Sequence, residues 1–107
     1  MKDTKWTTID LHGAGAIAKV VGSYEVMDAR IPGGRFKAKV LQHGDGGYVA
    51  HLNVCLKTED GIPDGMAGNG RTEDLALQDA IKGFMMALAK RKALKDEDFE
   101  WSDPVDF

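Results

Sequence analysis

Two stretches in the middle of the chain alternate between apolar and polar residues. RFKAKVLQ, residues 35–42, sets Phe36, Ala38 and Val40 to one side and Arg35, Lys37 and Lys39 to the other. YVAHLNVCLK, residues 48–57, sets Ala50, Leu52, Val54 and Leu56 inward and His51, Asn53, Cys55 and Lys57 outward. A period of two predicts strands with one buried and one wet face. HGDGG at 43–47 reads as the hairpin loop between them, because Asp-Gly and Gly-Gly adopt positive φ cheaply. PGG at 32–34 reads as a turn and TEDGIPDG at 58–65 as a second loop. GMAGNGR at 65–71 reads as a short glycine-rich strand, at a sheet edge or closely approached by another backbone.

The period changes after residue 71. Thr72 is placed to cap a helix, with Glu73 and Asp74 in its positively polarised first turn. Leu77, Ile81, Phe84 and Leu88 recur as one apolar stripe, and Lys90, Arg91, Lys92 and Lys95 follow where the helix dipole favours cations. Residues 1–13 are polar, with Trp6 the one notable anchor. AGAIAKVV at 14–21 suits a short helix as well as a strand, and YEVMDARI at 24–31 reads as a first strand. The expected fold is α+β: an antiparallel three- or four-stranded sheet with a long C-terminal helix on one face. Residues 1–95 read as one domain and 96–107 as an acidic tail.

With 107 residues, the chain is long enough for one modest core. It has no run near the ~20 apolar residues of a membrane span, and MKDTKWTTIDLHG lacks the apolar centre of a secretion signal. The lone Cys55 excludes an internal disulfide and suits a reducing compartment, so the cytoplasm is expected. The net charge of −3 hides a split. Asp96, Glu97, Asp98, Glu100, Asp103 and Asp106 leave the tail at −6 and the body at +3. That asymmetry fits polyanion binding with an internal competitor, and equally a solubilising tail.

A sheet covered by a helix on one side leaves its other face open. By alternation that face carries Arg35, Lys37, Lys39, His51, Asn53 and Lys57, with Asn69 and Arg71 beside them. Bases on three neighbouring strands suit a phosphate backbone, although a solvated sheet face also carries Lys and Arg. Aromatic platforms are missing from this face; Trp6 and Tyr24 are the unplaced candidates. Signals for catalysis are weak. His12, His43 and His51 show no ligand spacing, and His51 and Cys55 lie about 13 Å apart on a strand, too far to share a metal. GAGAIA at 13–18 fits a dinucleotide-binding pattern formally, but the chain has no room for that domain. The expectation is a protein without catalytic residues, metal or cofactor.

GNGRTEDLALQDA, residues 68–80, resembles the strand-to-helix junction of double-stranded-RNA-binding domains. Gly68, Gly70, Thr72, Ala76 and Ala80 match in register, and the resemblance covers roughly residues 34–92. The family's phosphate-gripping lysines are replaced here by Glu73, Asp74 and Leu77. Carboxylates at a phosphate position repel, so duplex RNA is not the ligand this resemblance implies. The layout is also similar to single-strand annealing proteins of recombination. Ala76, Asp79, Ala80, Lys82, Ala87 and Leu88 sit where that helix pattern wants them. That family usually assembles into rings, which implies a homo-oligomer. A small antitoxin-like domain is a further look-alike.

SDPVDF at 102–107 resembles the tips of bacterial and phage single-stranded-DNA-binding proteins: Asp106 and Phe107 match the acid and the Phe, and Pro104 and Val105 appear in a different order. A terminal ring fits an apolar pocket on a partner while nearby acids meet a basic rim, which makes Asp103, Asp106 and Phe107 the partner-binding candidates. In a blander arrangement Phe99, Trp101 and Phe107 fold back over the body. The leading expectation is a phage-derived single-stranded-DNA-binding or annealing accessory protein, with Arg35, Lys37, Lys39, Lys57 and Arg71 on phosphates and His51 and Asn53 as neutral contacts. The alternative is a protein-interaction module of similar fold that has lost nucleic-acid binding, such as a phage inhibitor of a host defence or repair complex.

Overall fold

The computed structural model of the chain describes residues 5–58, 63–64, 67–104 and 107, with the side chains of 63 and 64 outside the description. The elements run β1 (Ala18–Met27), β2 (Arg35–His43), β3 (Tyr48–Leu52), β4 (Val54–Lys57), β5 (Pro63–Asp64), β6 (Ala67–Gly70), α1 (Glu73–Ala89) and β7 (Phe99–Trp101). All strand pairs are antiparallel. One sheet has the order β1-β2-β3-β6 and a small one the order β5-β4-β7. The fold is α+β, with α1 packed on one face of the four-stranded sheet. Among the described residues, no helix is long and apolar enough to cross a membrane.

The two turns form as their glycines predict. Gly33 and Gly34 take positive φ, and the β2–β3 hairpin closes through His43 N–H to Gly47 O at 2.8 Å, with Gly46 at φ 92°. Most of the expected loop at 58–65 lies outside the described residues. Residues 18–27 form a single strand, so the short helix weighed for 14–21 does not form and the first strand begins before Tyr24. The β-branched Val20 and Val21 favour a strand, and a bulge between Val20 and Gly22 absorbs the interruption. Ser23, Glu25 and Met27 pair with Lys39, Lys37 and Arg35 on the open side, while Tyr24 and Val26 pair with Ala38 and Phe36 beneath the helix.

The second alternating stretch keeps its burial pattern but not its ladder. Ala50, Leu52, Val54 and Leu56 are all buried, yet β3 and β4 belong to different sheets. Asn53 makes the corner. Its Oδ1 accepts from Lys37 N–H at 2.7 Å, its own N–H donates to Lys37 O at 2.9 Å, and its carbonyl accepts from Ser102 N–H at 2.9 Å. A side-chain amide thus stands in for a ladder bond where the chain changes sheets.

Thr72 caps α1 by accepting from Leu75 N–H at 3.2 Å. The buried face of α1 is Ala76, Ala80, Phe84 and Leu88, so the stripe read from the sequence is rotated: Leu77 and Ile81 flank it, half-buried. The cause is the glycine strand. A Cβ built on Gly68 would stand 2.7 Å from Ala76 O, and one on Gly70 would stand 2.7 Å from Leu75 C. β6 therefore presses its bare backbone against α1, and only alanines fit opposite. Further along, Phe84 meets Phe36 edge-on at 5.2 Å between ring centres.

The stretch set apart by its charge begins as part of this body. Phe99, Glu100 and Trp101 pair with Leu56, Cys55 and Val54. Phe99 is 5% exposed and belongs to the core. Arg91 holds the return by donating to Lys57 O and standing 4.0 Å from Asp98 Oδ1.

Candidate functional site

The open face of the four-stranded sheet is built in rows by strand register. One row reads Ser23, Lys39, His51 and Ala67 across β1, β2, β3 and β6, and the next reads Val20, Leu41, Val49 and Asn69. Lys37 lies beside Lys39 on the same side of β2, opposite Glu25. Three of the seven expected nucleic-acid contacts, Lys37, Lys39 and His51, therefore come together. Of the other four, Arg35 shares the open side of β2 but is ion-paired, Asn53 stands at the corner beside Lys37, and Lys57 and Arg71 are placed elsewhere. Arg35 Nε lies 3.2 Å from Glu25 Oε1, and Lys57, on the small sheet, has Nζ 3.7 Å from Glu100 Oε2. Asn53 spends its amide oxygen on the corner. Arg71 is exposed past the far edge, on a separate groove shared with His43, Tyr48 and Lys82.

Tyr24 is not the missing aromatic platform. Its hydroxyl donates to the Glu73 carboxylate at the start of α1, tying β1 to the helix, and that bond pushes the Tyr24 hydroxyl above its ordinary range. Trp6 sits in a separate turn, Trp6–Thr8. A ring that does reach Lys39 is that of Phe107. Lys39 Nζ donates to the Phe107 main-chain oxygen at 3.0 Å and stands 4.6 Å from the centre of its ring. One ammonium thus serves an acceptor oxygen and a π-face together. Beside it is a half-open cleft of about 450 Å³, lined by Ser23, Glu25, Lys37, Asn53, Ser102 and Phe107. Asp103 is exposed, and Asp106 lies outside the described residues.

No family model, curated protein or solved structure matches the chain. Gly68, Gly70, Thr72, Ala76 and Ala80, on which the resemblance at 68–80 rests, all serve the packing and capping of the β6–α1 junction. They report a strand-on-helix contact and carry no information about a ligand. Among the described residues, no group of three or more His, Cys, Asp or Glu side chains is placed to hold a metal ion.

His51 holds its proton less firmly than a free imidazole, first because burial disfavours the charged form and then because Lys39 and His43 repel it. The consequence for stability follows from linkage. Above the ordinary value of 6.5 both folded and unfolded chains carry neutral His51. As the pH falls below it the unfolded chain protonates first, so stability is lost progressively through the lower folded pKa. Urea unfolding of the native chain and of His51→Gln, between about pH 7.5 and about pH 5, should show the variant losing less stability on acidification. Equal losses would contradict this placement of His51.

Proposed function

We propose that the open face of the four-stranded sheet binds single-stranded DNA, and that the protein acts as a single-strand-binding or annealing accessory factor. Lys37 and Lys39 take backbone phosphates, His51 and Ser23 supply neutral hydrogen bonds beside them, and Arg71 extends the path at the sheet's far edge. The segment bearing Asp103, Asp106 and Phe107 recruits a partner protein. The observation that carries this reading is the pair of lysines on an uncovered sheet, one of them already holding an acceptor oxygen and an aromatic ring. A single strand offers those same two features, phosphate and base, at every nucleotide.

Titration of labelled single-stranded DNA, single-stranded RNA, duplex DNA and duplex RNA at several salt concentrations tests it. Single-stranded DNA should bind tightest, and its log affinity should fall with log salt. Lys37→Ala with Lys39→Ala should weaken binding and flatten that slope by roughly 0.7 for each phosphate that is no longer neutralised. An unchanged slope in the double variant would move the phosphate path off β2.

One observation favours the rival reading, a protein-interaction module. Arg35 and Lys57 are each ion-paired within the molecule, which lowers the charge available to phosphates. Under that reading none of the four nucleic acids binds at low salt, and the exposed acids with Phe107 engage a basic protein surface instead.

A further inference from the structure

We infer that the ring and main-chain oxygen of Phe107 occupy a subsite for one nucleobase and its neighbouring phosphate, so that the protein's own chain and a single strand exclude each other at Lys39. This rests on the single-strand reading and names what the strand places there.

The geometry of Lys39 is the starting point. Its Nζ meets a planar π-face at 4.6 Å and an acceptor oxygen at 3.0 Å, both from one residue. A nucleotide carries the same two features within one unit, a base with a π-face and an anionic oxygen. The walls are suited to a base as well. Ser23 offers a hydroxyl, Glu25 a carboxylate, and Asn53 retains its amide protons once its oxygen is given to Lys37 N–H. A base over Lys39 would take the place of the Phe107 ring on the same cation. Phe107 is only half-buried and sits outside the core, so its release leaves the core intact.

The test uses the full-length chain and a labelled oligothymidylate of about twelve nucleotides. Phe107→Ala takes the ring off Lys39 and should bind about two- to fivefold tighter than the native protein, the range expected for losing one exposed cation–π interaction. Phe107→Leu keeps apolar bulk without a π-face and should be released likewise, whereas Phe107→Trp should stay near the native affinity. A peptide Asp-Pro-Val-Asp-Phe added in trans should displace the oligonucleotide from Phe107→Ala. Native or weaker affinity in Phe107→Ala, or a peptide that binds without displacing DNA, overturns the inference and leaves single-strand binding standing. If neither the native chain nor Phe107→Ala binds the oligonucleotide at low salt, single-strand binding itself fails, and this inference fails with it.

Discussion

Gly68→Val should leave the protein largely unfolded at room temperature, and Gly68→Ala should lower its melting temperature markedly. A Cβ at this position would lie 2.7 Å from Ala76 O and 2.8 Å from Ala80 Cα, both backbone atoms of α1. Ordinary non-bonded separations are about 3.5–4.0 Å, so the helix must retreat by about 1 Å along its tightest contact with the sheet. Overpacking of this kind typically costs about 1–3 kcal/mol, and here neither side is a flexible side chain that can turn away. The two extra methyl groups of valine push the cost toward the whole stability of a small domain, about 5 kcal/mol at the lower end. Gly83 provides the control. It lies in the same helix with nothing within 4 Å of an added Cβ, so Gly83→Ala should stabilise by about 0.5–1 kcal/mol through helix propensity. Thermal melts followed by circular dichroism separate the two. A Gly68→Ala melt indistinguishable from native would mean that β6 and α1 are further apart than described.

The second large effect concerns where the chain is cut. Ending it after Lys95 should destabilise the protein severely, whereas ending it after Ser102 should change the melting temperature little. The first cut removes Phe99, 5% exposed in the core, together with the ladder from β7 to β4. Loss of a buried phenylalanine alone costs about 3–5 kcal/mol, and this cut also uncovers Leu56 and Val54. The second cut removes Phe107 and its contact with Lys39 and spares the core. Equal melting temperatures for the two shortened chains would refute the role of Phe99. The difference also matters for any binding comparison, since a chain ended at Lys95 would confound exposure of the open face with loss of structure. Among described residues, Phe99 is where a boundary drawn by charge and the packing of the body part ways.

Much of the fold is legible from local pattern. The alternation at 35–42, the Asp-Gly loop at 43–47 and the Thr72 cap each depend on residues next to one another in sequence, and each forms as its pattern predicts, whereas the alternation at 48–57 keeps its burial and breaks into two strands at Asn53. The candidate site is legible at Lys37, Lys39 and His51 and in the side that Arg35 faces, but no further, because alternation specifies which side of a strand a residue faces but not which strands share a sheet. Lys57 alternates correctly and still ends on another sheet, since Asn53 turns the chain away through its own side chain. Arg35 faces the open side as expected, but its partner Glu25 comes from a strand whose register no local pattern specifies.

By itself, then, the sequence determined the class of fold, the turns, the cap and the wet face of β2, all of which follow from periodicity and backbone preference. Tertiary structure decided which of the apolar residues of α1 face the sheet, because the bare backbone of Gly68 and Gly70 admits Ala76 and Ala80 and displaces Leu77 and Ile81 to the flanks. It also decided that Phe99 is core and that Phe107 rests on Lys39, contacts that join residues 43 and 68 positions apart, from Leu56 to Phe99 and from Lys39 to Phe107. Such contacts depend on where the whole chain places its ends in space, and local pattern holds no record of that.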